Sequence, residues 1–319
     1  MSHGAPDPPA EAWRRGAGPG PLLEAVPARE MALGVLSIRR LLPAPKRRLV
    51  GAWCFLDAFG PLAFDQGKPM EVPPHPHVGL QTVTWLLDGE VLHKDSLGCE
   101  ELARPGTLNL MTSGRGIAHS EETPSRHSGR LEGLQLWVAL PDAARHVEPS
   151  FEHHAGLPVV ESPGLRATVV LGSLAGVRSP GRALSPIVGA DLIVEPGVAA
   201  ALPLDPAFEH AALLLRGAGS VAGAPLEPAT LLYLGVGRAE LPVRAAPDVP
   251  LRMLLIGGAP FGETVLMWWN FVARTADEIR EARDDWQAGR RFGEVKAYAG
   301  ARLDAPPFVS RGGGGARSS

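Results

Sequence analysis

Cysteine is scarce in this chain of 319 residues: Cys54 and Cys99 are the full complement. Two isolated thiols exclude a disulfide framework, and neither lies in a paired ligand motif. They read as reduced thiols in a cytoplasmic protein. An excess of one charge is also missing. Lys and Arg number 31 against 34 Asp and Glu, a formal net charge of −3. Electrostatics therefore give no case for nucleic acid or an anionic membrane, and short runs such as Lys46-Arg47-Arg48 and Arg290-Arg291 read as solvated surface charge. No apolar stretch approaches the roughly 20 residues of a membrane helix. The N-terminus lacks the positive-then-apolar order of a signal peptide, so a cytoplasmic location with no membrane partner is expected.

Glycine (38) and proline (32) are plentiful, which favours a turn-rich β architecture. Hydrophobic and charged fractions of 45% and 20% belong to an ordinary globular protein, long enough for one large or two medium domains. The apolar runs are short and punctuated by Gly and Pro, for example at 82–87, 108–111, 134–140, 167–171, 192–194, 212–215 and 253–256. This rhythm predicts an all-β sandwich or barrel. One helix is expected: Thr275 and Glu278 make a capping-box pattern, Ile279, Ala282 and Trp286 share a face, and Gly289 ends it. Residues 1–30 read as a disordered leader and 296–319 as a flexible tail, the Gly312–Gly315 run having no strand before it to make a phosphate loop.

A weak internal repeat divides what lies between. Gly89 followed by a strand led by Pro105 recurs as Gly219 followed by one led by Pro228. Two copies of one β-barrel unit are expected, over 31–160 and 161–295, the second ending in the helix.

The chemistry concentrates in the first copy. His75-Pro76-His77 is followed about forty residues later by His119-Ser120-Glu121. Residues at i, i+2 share one face of a strand. Three imidazoles and a carboxylate from two neighbouring strands make a half-cage for a divalent transition ion. Glu122 falls on the opposite face. Matching Gly219 to Gly89 puts Asp205 and Ala207 where His75 and His77 stand, and matching Pro228 to Pro105 puts Pro242 and Arg244 where His119 and Glu121 stand. One barrel should bind metal, and the other should not.

The segments around these residues resemble the pirin family of the cupin superfamily. They are His75-Pro76-His77-Val78-Gly79, Gly114-Arg115-Gly116-Ile117-Ala118-His119-Ser120-Glu121, and 133–141, with 257–263 and 268–272 similar to the C-terminal part of bacterial pirins. The resemblance implies an all-β bicupin, two jelly-roll barrels face to face, with one metal held by His75, His77, His119 and Glu121. It implies Fe2+ first, with Ni, Cu, Co, Mn or Zn as alternatives that such ligands also accept. It implies a quercetin 2,3-dioxygenase acting on a flavonol and dioxygen with Glu121 as base, or else a regulatory partner of a transcription factor or metabolic enzyme. One departure stands at Gln81, where cupins commonly carry a Glu ligand.

The remaining candidates read more plainly. His93 and Asp95 alternate along a strand and are expected as surface polar positions, with a role behind the ligands as the sharper option. His127, His153, His154 and His210 are expected at the surface, Trp137, Trp268 and Trp269 in the core, and Cys99 as an inert side chain.

Overall fold

The computed structural model describes residues 21–33 and 35–308. Two β-sandwich barrels repeat one topology. In the first, a seven-stranded sheet runs Ser150–His154, Leu108–Thr112, Leu80–Gly89, Arg130–Ala139, Trp53–Ala63, Leu36–Leu42, Arg29–Leu33. It faces a four-stranded sheet ordered Glu71–His77, Ile117–Glu122, Val91–Asp95, Glu100–Ala103. In the second, Pro21–Pro27, Thr230–Gly235, Glu209–Gly217, Leu251–Gly258, Ile187–Val194, Leu165–Leu174 and Val159–Ser162 follow the same order. Its smaller sheet is Ala199–Pro203, Glu240–Ala245, Gly219–Val221, Ala224–Pro225. The architecture is the all-β bicupin.

The two large sheets pack face to face. Val83, Trp85, Leu134 and Leu136 from one meet Leu171, Leu213, Leu254 and Ile256 from the other in a shared core. Their strands are covered on both faces, which explains why Leu80–Gly89 is buried almost throughout, its polar Gln81, Thr82 and Thr84 included. Odd positions of that strand face the other barrel, and even ones such as Thr84 face the interior of their own.

The ends of the described chain cross over. Pro21–Pro27 pairs with Thr230–Gly235 and extends the large sheet of the second barrel, with Val26 buried in the shared core. The expected leader is therefore wrong for its last ten residues, because their alternation was too short to register beside so much Pro and Ala. Its first twenty lie outside the described residues. At the other end, Leu266–Trp268 and Phe271–Ala273 form a hairpin, and helix Ala276–Gln287 follows. Thr275 caps the helix by accepting from Glu278 N, and Ile279, Ala282 and Trp286 are buried, as the spacing predicts. These residues pack on Val78 and Ala118 of the first barrel. The expected flexible tail is also corrected over 296–308. Leu303 N donates to Pro74 O at 2.9 Å, Trp286 Nε1 donates to Leu303 O at 2.8 Å, and Ala305 is buried. The Gly312–Gly315 run lies outside the described residues.

The repeat holds with a shifted register. Gly89 and Gly217, not Gly219, end equivalent strands; both have positive φ (86° and 79°), and a partner-strand carbonyl stands where a Cβ would be. The strand of the second barrel that takes the place of Glu71–His77 in the sheet order, Ala199–Pro203, carries no histidine.

Removing residues 1–27 should strip an edge from the second barrel. Val26 alone is worth about 1.5–3 kcal/mol of burial, so the urea midpoint should fall visibly. An unchanged midpoint would show that the strand contributes nothing.

Candidate metal centre

Strand Glu71–His77 carries three prolines in seven residues, tolerable because it lies at the edge of its sheet. Its His75 and His77 enter the barrel interior beside His119 from strand Ile117–Glu122, which pairs directly with His75. The three rings have no solvent exposure, and one nitrogen from each lies within 4.8 Å of the others. The i, i+2 spacing brings together the three imidazoles.

Carbonyls decide how these rings are protonated. His75 Nδ1 lies 2.9 Å from Pro73 O, and His77 Nδ1 lies 3.1 Å from Asn270 O. A carbonyl only accepts, so both protons sit on Nδ1 and both Nε2 atoms are bare. His75 Nε2 has no hydrogen-bond partner, and His77 Nε2 faces His119 Nε2 at 3.0 Å. Burying such lone pairs without a donor is costly. A cation shared among them relieves the cost, so the donor set fits a divalent transition ion.

The electrostatics agree. Burial above all, then the neighbouring rings, hold His75 and His119 well below the ordinary imidazole value, and burial lowers His77 to about 3. All three are neutral at neutral pH, the form that ligates.

Glu121 is buried but lies outside the three-histidine cluster. An irregularity in the pairing sets His119 opposite His75 but Glu121 opposite Val72. Its Oε1 is 3.5 Å from Thr84 Oγ1, which also donates to Gln135 Oε1 at 3.0 Å. Burial raises the pKa of Glu121. Glu122, on the other face, pairs with Lys94 at 3.0 Å. Gln81 is turned away from the histidines: its Nε2 donates to Thr112 Oγ1 and Arg182 O, each at 2.9 Å.

His93 and Asp95 are not surface residues. They are 5% and 3% exposed, and His93 Nδ1 lies 3.3 Å from His119 Nδ1. Their i, i+2 spacing was the same signal that marked the ligands, but it went unused because no second pair accompanied it. The Asn270 contact is made by backbone and leaves no mark in sequence. His210 is also corrected, being 1% exposed. With Asp205 it lines a cavity of about 310 Å³ in the second barrel. His127, His153 and His154 are half-buried. His153 bonds Asn109, and His154 bonds Glu152. Trp137 is core as expected, stacked on Phe55 at 4.1 Å and edge-on to His77 at 5.1 Å. Trp268 is buried and Trp269 half-buried.

Residues 35–138 match the Pirin family, and 189–293 match the Pirin C-terminal cupin domain. The chain belongs to the pirin family. A Pseudomonas aeruginosa protein named "Putative quercetin 2,3-dioxygenase" is 46% identical over 291 residues, 90% of this pirin and 91% of that protein. A Pirin-like protein of Caulobacter vibrioides is 42% identical over 270 residues, 82% of this chain and 92% of the other. The crystal structure of quercetin 2,3-dioxygenase from Acinetobacter baumannii superposes with a TM-score of 0.86 at 43% identity, covering 90% of this pirin and 96% of that chain. Among the described residues no helix is long and apolar enough to cross a membrane.

The depressed histidines set a pH dependence for the metal-free protein. In the unfolded chain each titrates near about 6.5. In the folded chain His77 and His210 titrate at about 3 and about 4. Between those values the unfolded state binds more protons, so stability falls as pH drops below about 6.5, by up to about 1.4 kcal/mol per unit per histidine. Thermal melts of metal-free protein from pH about 7 to about 5 should show a steady fall. A flat profile would contradict the neutral, buried assignment.

Proposed function

We propose that this pirin is a metal-dependent dioxygenase of the quercetin 2,3-dioxygenase type, opening a flavonol with dioxygen and releasing carbon monoxide. The observation that carries the proposal is the convergence of three buried imidazoles, His75 Nε2 without a partner and His77 Nε2 facing His119 Nε2 at 3.0 Å, with the buried carboxyl of Glu121 on the strand of His119. The names of the Pseudomonas and Acinetobacter relatives supply the substrate class.

His75, His77 and His119 would hold the ion through Nε2. Glu121, on the same strand face as His119, would join them by rotating away from Thr84. Fe2+ is the leading ion, with Ni, Cu, Co, Mn and Zn acceptable to such donors. When bound, the ion supplies a Lewis-acidic, redox-capable centre for a phenolate and dioxygen. The protein does the rest. Three neutral imidazoles and one carboxylate leave a divalent ion with net positive charge that favours an anionic oxygen. Glu121, swung off the ion, takes the flavonol hydroxyl proton, a task helped by burial that raises its pKa. The Trp137–Phe55 stack beside His77 gives the interior a flat, rigid wall. A cytoplasmic setting fits the two free cysteines.

The complete enclosure of the three imidazoles favours one other reading. In it the metal is structural, and the protein acts as a regulatory partner of a transcription factor or metabolic enzyme.

Metal-loaded protein should consume dioxygen with quercetin and release carbon monoxide. Glu121→Gln should retain some metal yet lose about 10²–10⁴ in turnover, whereas Glu122→Gln should remain active. His119→Ala should abolish tight metal binding. Fully loaded wild type that leaves quercetin and related flavonols intact would end the dioxygenase reading in favour of the regulatory one.

A further inference from the structure

His93 and Asp95 lie on strand Val91–Asp95, the other neighbour of strand Ile117–Glu122, with Asp95 paired to His119. Asp95 Oδ1 accepts the backbone N–H groups of Leu97 at 2.8 Å and Cys99 at 3.1 Å. Its Oδ2 is left for His93 Nε2 at 3.1 Å. A carboxylate only accepts, so the His93 proton sits on Nε2, and the neutral ring presents a bare Nδ1. That atom lies 3.3 Å from His119 Nδ1. Two lone pairs cannot bond each other, so the proton between them belongs to His119 Nδ1. His119 Nε2 is then bare, facing His77 Nε2.

We infer that Asp95 and His93 form a two-step relay that fixes His119 in its metal-binding tautomer and aims its ring at the site. His93 is thus a positioning residue, and the inference rests on the three-histidine metal site proposed above. The chain does for His119, with two side chains, what the Pro73 and Asn270 carbonyls do for His75 and His77. Phe151, stacked on His93 at 4.3 Å and 16°, sets the plane in which His93 accepts. Partners of this kind orient the ligand and strengthen it as a donor.

The test compares two substitutions with opposite virtues. His93→Phe keeps an aromatic ring on Phe151 but offers no acceptor. His93→Asn packs worse but puts a carbonyl oxygen close to where Nδ1 stood. Ni2+ affinity, measured by competition with a chromophoric chelator, should fall about 10–100-fold in His93→Phe and recover most of that loss in His93→Asn. A purely structural role predicts the reverse order. His93→Phe binding Ni2+ as tightly as wild type, or more tightly than His93→Asn, would overturn the relay. A second readout needs no variant: ¹⁵N-histidine NMR of metal-free wild type should place protons on His119 Nδ1 and His93 Nε2. Finding His119 protonated on Nε2 would equally overturn it. Wild type that binds no Ni2+ would refute the metal reading instead, and the tautomers of the metal-free chain would still decide the relay.

Discussion

Three imidazole lone pairs converge inside a barrel, fully buried and with no hydrogen-bond donor among them, and most features around them follow from that. Unpartnered acceptors in a protein interior are expensive. Here the arrangement persists because every ring is fixed from its far side, by Pro73 O, Asn270 O and His93. Each outer contact accepts the Nδ1 proton, and each thereby keeps the inner nitrogen free. The depressed pKa values of the three rings express the same enclosure, since burial penalises the charged form.

The rest of the fold holds those outer contacts in place. Asn270 comes from the hairpin that follows the second barrel, so the chain must fold back over the first barrel to complete the site. Val78 bridges to Phe271, and Ala118 N donates to Phe292 O at 3.1 Å, tying the ligand strands to that returning segment. The second barrel contributes a face for the large sheet and a cavity of its own, but among the described residues no imidazole cluster. Its strand Ala199–Pro203, which takes the place of Glu71–His77, carries no histidine. The difference between the two barrels, one with a buried histidine cluster and one without, comes from side chains grafted on one repeated topology.

Much of this was legible in the sequence because periodicity reports on faces. The capped helix and the short β runs rest on local spacing and appear where spacing puts them; His75, His77 and His119 come together, while Glu121 stands outside their cluster. What spacing could not show were the partners. Residues 21–27 read as part of a leader because their pairing strand lies about two hundred residues away. Residues 296–308 looked loose because backbone and tryptophan hydrogen bonds hold them, with little apolar pattern. His93 and Asp95 looked like surface alternation because burial on a strand between two others is a property of the sheet. Glu121 shares the face of His119, but the irregular pairing beyond His119 offsets its carboxylate from the ring cluster. Periodicity carries no information about such an offset.

The claim on which everything else stands is that one ion occupies the His75, His77 and His119 nitrogens. Anomalous diffraction from metal-loaded crystals, collected at the absorption edge of the metal, reads this directly. The account predicts a single peak per chain, bonded to the three Nε2 atoms. A peak in the Asp205–His210 cavity, two peaks per chain, or no density among the three histidines would contradict it.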